Sequence, residues 1–275
     1  MRPSDFPIAE GAAGLEAAID VALARAVLYH AVALGLRPPA RESARAPFDA
    51  TTPQTLRAAA TLLDAQAPSG EALLPAVETF GALAPSPAER GTAHARLFGH
   101  SRGLVCPFET EYGATDAFRQ PQDLADIAGT YLAFGLRSPE GEDERVDHAA
   151  CECEFMGFLA RKEAFGLSSL HTSGDQAVAR EQLATIQAAA RGFLREHLGR
   201  FGRAFASLLI KEDAGGFHAA LGALLFRFLT QECQRFGLPP GPPSLELRPP
   251  VPDDTPMACG RPDDELIQVQ RRPRP

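Results

Sequence analysis

From Leu15 to Phe236 apolar residues return every three or four positions, in runs broken by Pro and Gly, with no convincing strand-type alternation. Leu15, Ile19, Leu23, Val27 and Leu34 predict a long amphipathic helix closed by "GLRPP". Further helical patterns fall near 54–66, 71–83, 88–98, 122–137, 146–165, 175–198, 200–211 and 216–236. Ala fills many positions between the apolar anchors, which favours helix over sheet. Residues 99–121 have mixed patterning and read as an ordered loop. There is no internal repeat. The expected fold is all-α, a single compact bundle of roughly eight to ten helices over residues 1–237. Residues 238–275 carry 11 of the chain's 24 prolines and read as an extended Pro-rich tail, pinned in places if at all.

A chain of 275 residues can bury one large core. Its net charge of -8 argues against general nucleic-acid binding and suits a partner that brings positive charge. Stretches such as "AVALGL" and "FASLLI" are too short to span a bilayer, so no stable membrane insertion is expected. The first residues show no basic-then-apolar secretory pattern. Five cysteines without a CxxC pair point to a reducing compartment, the cytoplasm by default. No phosphate-binding glycine loop and no G-x-S-x-G elbow occurs, and no cofactor is called for. In "SSLHTSGD" the Ser and Thr residues read as the start of the next helix rather than as part of a triad.

The densest chemistry lies in "VDHAACECEFMGFLA", residues 146–160. On a helix, successive residues turn by about 100°, so Cys151 and Cys153 point to nearly opposite sides and cannot clamp one metal. His148 and Glu152, four apart, can meet on one face. A metal site would need a third ligand from among His94, His100, His171, His197 or Glu109, none at a recognised ligand spacing. The plainer alternative takes Asp147 as a helix N-cap, with Phe155 and Leu159 in the core. A third reading starts from the upstream acids Glu140, Glu142, Asp143 and Glu144, which crowd Arg145 and run straight into an apolar helix face. That adjacency suits a peptide with a basic end followed by an apolar segment.

Three blocks resemble the TorD/DmsD/NarJ family of molybdoenzyme maturation chaperones. "ARLFGHSRGLVCPFETEYG" is similar to the family's "RLF…P…ESVY" and places Glu109 and Tyr112 on its Glu and Tyr. "DHAACECEFMGFLA" is similar to "DHxxxELxFMxxLA" and matches at Asp147, His148, Glu152, Phe155 and Met156. "FLREHLGRFGRAF" is similar to "FxxEHLxxWxxxF", with Phe201 in place of the common Trp. Val146 stands where the family often has Pro. "FETEYG" looks more like the branch that serves dimethyl sulfoxide reductase-class enzymes.

The resemblance implies a TorD-like helical, cytoplasmic, non-enzymatic chaperone. Its partner would be a molybdoenzyme catalytic-subunit precursor, held by its twin-arginine leader and as apoprotein until the cofactor is inserted. Peptide binding would fall to Glu109, Tyr112, Asp147, His148, Glu152 and Phe155. Glu109 and Asp147 would pair with arginine, with His148 orienting Asp147 or bonding a peptide carbonyl and with Tyr112 and Phe155 lining the apolar track. A helical metal-binding protein using His148 and Glu152, or a non-enzymatic scaffold, remain the alternatives.

Overall fold

The computed structural model describes residues 11–39, 53–67, 72–83, 85–99, 103–113, 120–137, 145–172 and 175–248. Among them are nine α-helices: α1 (Ala12–Leu36), α2 (Pro53–Asp64), α3 (Leu74–Ala82), α4 (Pro87–Phe98), α5 (Gln120–Ala133), α6 (Ala149–Thr172), α7 (Gln176–Glu196), α8 (Leu198–Glu212) and α9 (Phe217–Arg235). A 3-10 turn, Glu109–Glu111, lies in the loop between α4 and α5. No strand forms among the described residues; two isolated antiparallel bridges, Phe108 with His148 and Tyr112 with Leu247, stand alone. The all-α expectation holds. The acids at 140–144 and His100 lie outside the described residues, as does the tail beyond Arg248.

The first helix departs from its expected character. α1 lies against α6 and is flanked by α2 and α9. It buries residues from all round its circumference, including the unbroken run Ala31–Leu36. Of the row from Leu15 to Val27, Leu15 is buried, Ile19 and Val27 are partly buried and Leu23 is exposed. A helix apolar all round belongs inside a fold, and amphipathicity is the mark of a surface helix. α1 is also long and apolar enough to cross a membrane, with a mean hydropathy of 1.6 over its best window. The expectation that the apolar stretches are too short to span a bilayer therefore fails for α1 by length and composition, while 61 % of that window is buried inside the fold.

A buried ionic group ties the helices together. Arg25 of α1 donates to Glu232 of α9 through Nε (2.9 and 3.0 Å) and Nη2 (2.9 Å), and also pairs with Glu163 of α6. The Tyr29 hydroxyl donates to Glu232 at 3.0 Å, and Gln187 of α7 donates to Glu163 at 2.9 Å. Every strong acceptor thus meets a donor, the condition under which buried charge is tolerated. Where α8 crosses α9, Gly222 leaves no room for a side chain: a Cβ would sit 2.7 Å from the Ala206 carbonyl oxygen.

Helix starts follow local chemistry, with two differences from expectation. Ser86 and Glu89 form the reciprocal capping box of α4, and Pro87 follows the cap. α7 is capped by Asp175, which accepts from the Ala177 and Val178 amides. Ser168 and Ser169 instead complete α6. Asp147 is not the cap of α6. The ring of His148 takes that role, its Nδ1 accepting from the Ala150 amide at 3.0 Å.

Candidate functional site

The site grows from the way the 3-10 turn sits on the head of α6. The Glu109 amide donates to the Asp147 carbonyl at 2.9 Å, and the Ala149 amide donates to the Pro107 carbonyl at 2.8 Å. These backbone bonds bring together two segments nearly forty residues apart in sequence. The side chains complete the joint. Asp147 is fully buried, and its Oδ2 accepts from the Thr110 amide (3.2 Å) and hydroxyl (2.8 Å). Arg145 donates to both Asp147 oxygens at 3.0 and 2.8 Å and to Glu111 at 3.1 Å. Its guanidinium lies 4.1 Å from the centre of the Phe108 ring, a cation–π contact. Asp147 therefore already holds an arginine, its own neighbour Arg145.

Behind this joint is a chain of titratable groups. Glu152, in the first turn of α6, is fully buried, and neither of its oxygens receives a hydrogen bond from an N–H or O–H donor among the described residues. Burial, then the nearby Glu109 and Asp147 carboxylates, push its pKa well above the usual carboxylate range. A proton on Glu152 would let it donate toward Glu109 and relieve that burial. Glu109 in turn lies 3.1 Å from His197 Nδ1, and His197 Nε2 lies 3.3 Å from Asp126 of α5, which is 70 % exposed. His197 sits at the break between α7 and α8, where φ −123° and ψ −102° end one helix and start the next. The break turns the imidazole inward to bridge a buried and an exposed carboxylate.

Glu109 opens onto a cavity of about 420 Å³. Tyr112, Asp123, Arg200 and Phe201 form its sides, and residues 238–242 with Leu245 form a further wall. Tyr112 donates its hydroxyl to the Cys106 carbonyl at 2.6 Å and sets its ring 5.3 Å from Phe201. Burial pushes the phenol's pKa up, so it remains a donor. Arg200, half exposed at the rim, reaches within 4.0 Å of Glu109.

The six residues singled out in the sequence therefore fall into two layers. Glu109 and Tyr112 line the cavity. Asp147, His148 and Glu152 stand behind the turn and hold it. Phe155 lies deeper, its ring packed on Tyr131 (4.8 Å) and Phe193 (4.8 Å), in the main core rather than along an open track. Cys153 is fully buried and Cys151 only partly, as the opposite-sides geometry requires. Among the described residues no group of three or more His, Cys, Asp or Glu is placed to hold a metal ion.

The family model described as nitrate reductase delta subunit matches residues 53–207. The chain belongs to this family of NarJ/TorD chaperones. Its members are non-catalytic chaperones of molybdoenzyme assembly that bind a twin-arginine leader, and membership gives the chain that role. NarJ/TorD chaperones are generally cytoplasmic and act on a nitrate reductase-type molybdoenzyme subunit. Comparison with curated proteins returns no match. The match runs from α2 into α8 and contains Glu109, Asp147, Glu152 and His197. Asp123, Asp126 and Arg145 also lie within it; sequence reading missed the first two because their relation to Glu109 depends on how α5 crosses the turn. The end of α8, all of α9 and the wall at 238–245 lie beyond the match.

Proposed function

We propose that the cavity floored by Glu109 receives an arginine of the twin-arginine leader of a molybdenum-cofactor oxidoreductase precursor. The chain would hold leader and apoprotein in the cytoplasm, so that export waits for cofactor insertion. The observation that carries this reading is a buried carboxylate facing a cavity, inside the segment that defines the family. A charge-assisted hydrogen bond to such a group contributes roughly 1.5–3 kcal/mol, against about 0–1 kcal/mol for an exposed pair. Small-molecule pockets run from about 300 to 1,000 Å³, so this volume suits one or two side chains rather than a folded partner.

The residues have separate roles in this reading. Glu109 accepts from the guanidinium, exchanging it for the loosely held Arg200. Tyr112 and Phe201 supply the apolar flank, and Asp123 and Asp126 attract the basic end from the rim. Asp147, His148 and Glu152 set the position of the turn, and Phe155 anchors α6 beneath it. The test is a titration with leader peptides, intact and with both arginines replaced by lysine. The chain has no Trp, so a Trp placed in the peptide reports binding directly. Saturable binding of the intact leader, weakened by the lysine replacement, supports the reading. Equal binding of both peptides, or of neither, would leave a scaffold role in its place.

A further inference from the structure

Residues 238–248 follow α9 as an irregular segment laid across the molecule, and they lie wholly outside the family match. Pro239, Pro240, Pro242 and Pro243 have no N–H to donate, so this stretch is fastened mainly through its carbonyls and its far end. Arg203 donates to the Gly241 carbonyl at 2.5 Å. Further on, the Gly113 amide donates to the Glu246 carbonyl and the Arg248 amide to the Glu111 carbonyl, both at 2.8 Å. These two bonds flank the Tyr112–Leu247 bridge, so the segment pairs with residues 111–113 as an added antiparallel strand would.

The seat is shallow. Pro239, Pro240, Pro242, Pro243 and Ser244 are exposed, and so is Leu247. Arg248 donates through Nη1 to Gln120 at 3.0 Å, but its Nε and Nη2 are buried with no hydrogen-bond partner among the described residues. Buried donors left without acceptors weaken the closed arrangement. The segment also passes close to the joint between α7 and α8: a Cβ on Gly241 would run into the Gly199 carbonyl oxygen.

We propose that residues 238–248 are an intrasteric strap that occupies, in cis, the backbone edge at 111–113 and one wall of the Glu109 cavity, and that an extended client segment enters by displacing it. This rests on the leader-binding reading above. The edge offers one N–H and one C=O to an extended backbone, and the cavity beside it takes the side chain that such a backbone presents. The strap satisfies the edge in the absence of client, which keeps an unpaired strand edge from recruiting other chains.

The test uses the full chain. Gly241→Ala adds a single methyl that forces the strap off the Gly199 carbonyl, and the three nearest atoms it meets are backbone atoms of Gly199 and Arg200 rather than the side chains of Glu109 or Tyr112. Its affinity for the leader should rise roughly tenfold, the change that about one net hydrogen bond supports. In the unmodified chain, leader binding should speed hydrogen exchange at the Arg248 amide, which loses its acceptor. Exchange at the Gly113 amide should stay slow, because the leader replaces Glu246 as its acceptor. Unchanged or weaker leader binding by Gly241→Ala, with Arg248 exchange unaffected, overturns the strap and leaves the leader reading standing. Failure of every form to bind leader overturns both.

Discussion

The carboxyl of Glu152 faces Glu109 inside the protein, and among the described residues no N–H or O–H donor is turned toward either of its oxygens. Two carboxylates cannot share such a site without a proton between them. The groups around Glu152 are Glu109 on the turn, Asp147 at the head of α6 and Tyr131 of α5, all acidic or neutral. Its pKa in the folded state lies above the ordinary 4.5, so the folded chain binds more protons than the unfolded one above that pH. Stability should therefore fall as pH rises from about 5 towards 8. Glu152→Gln, neutral at every pH, should remove this slope and gain on the order of 1 kcal/mol at pH 8. Urea unfolding of both chains at pH 5 and pH 8 checks it; a Gln variant weaker than the parent at pH 8 rules it out.

His218 of α9 acts on the opposite limb of the pH curve. Burial drives its pKa from 6.5 down to about 4, partly opposed by Asp213 and reinforced by His94, Arg90 and Arg96. Its Nδ1 lies 3.7 Å from Asp213, and the His94 ring is 6.3 Å away. The unfolded chain takes up this proton first, so stability is lost as pH falls from 6.5 towards 4. At pH 5.5 the loss should be on the order of 1 kcal/mol. His218→Gln should flatten that limb in a thermal-melt series between pH 7 and pH 5.

Replacing Arg25 by Met tests the buried ionic group. The change leaves Glu232 and Glu163 in the interior without their main cation. The expected loss is about 3–5 kcal/mol. Denaturant midpoints measure it directly. A loss under about 1 kcal/mol would mean the two carboxyls find other partners.

The two layers of the site should separate under mutation. Glu109→Gln keeps the shape of the cavity and removes its charge, so leader affinity should fall about tenfold. Its melting temperature should move by less than about 4 °C. Asp147→Asn breaks the buried pair with Arg145 and should destabilise the fold by about 3 kcal/mol. Leader titrations and melts on both variants decide whether Asp147 acts by holding the turn or by meeting the client. Strongly weakened binding by Asp147→Asn with an unchanged melting temperature would assign it direct contact.

Periodicity made the helices legible, because a 3.6-residue repeat survives whatever packs against it. The environment of each helix was less so. Leu15, Ile19, Leu23 and Val27 suggest a face, yet from Val21 onward α1 is mostly enclosed by neighbours, and Ala22, Ala24, Ala26, Ala31 and Ala33 are buried beside Leu28, Leu34 and Leu36. The Glu109 and Asp147 blocks could be named from their motifs. Their junction could not, since it depends on backbone bonds between Pro107–Glu109 and Asp147–Ala149. Arg145 was visible in the sequence as one cation among acids, but its place on Asp147 needs the turn in three dimensions.

The family match begins at Pro53 and stops at Ser207, whereas Arg25 and Glu232 sit on either side of it. The piece that descent makes recognisable is thus smaller than the piece that folds. Excised at 53–207, the matched segment would carry Glu163 without Arg25 and expose the face of α6 that α1 covers. Grafting a relative's recognition turn onto this scaffold can leave both flanks in place. Exchanging either flank alone would mismatch Arg25 and Glu232, so the two ends of the chain have to travel together.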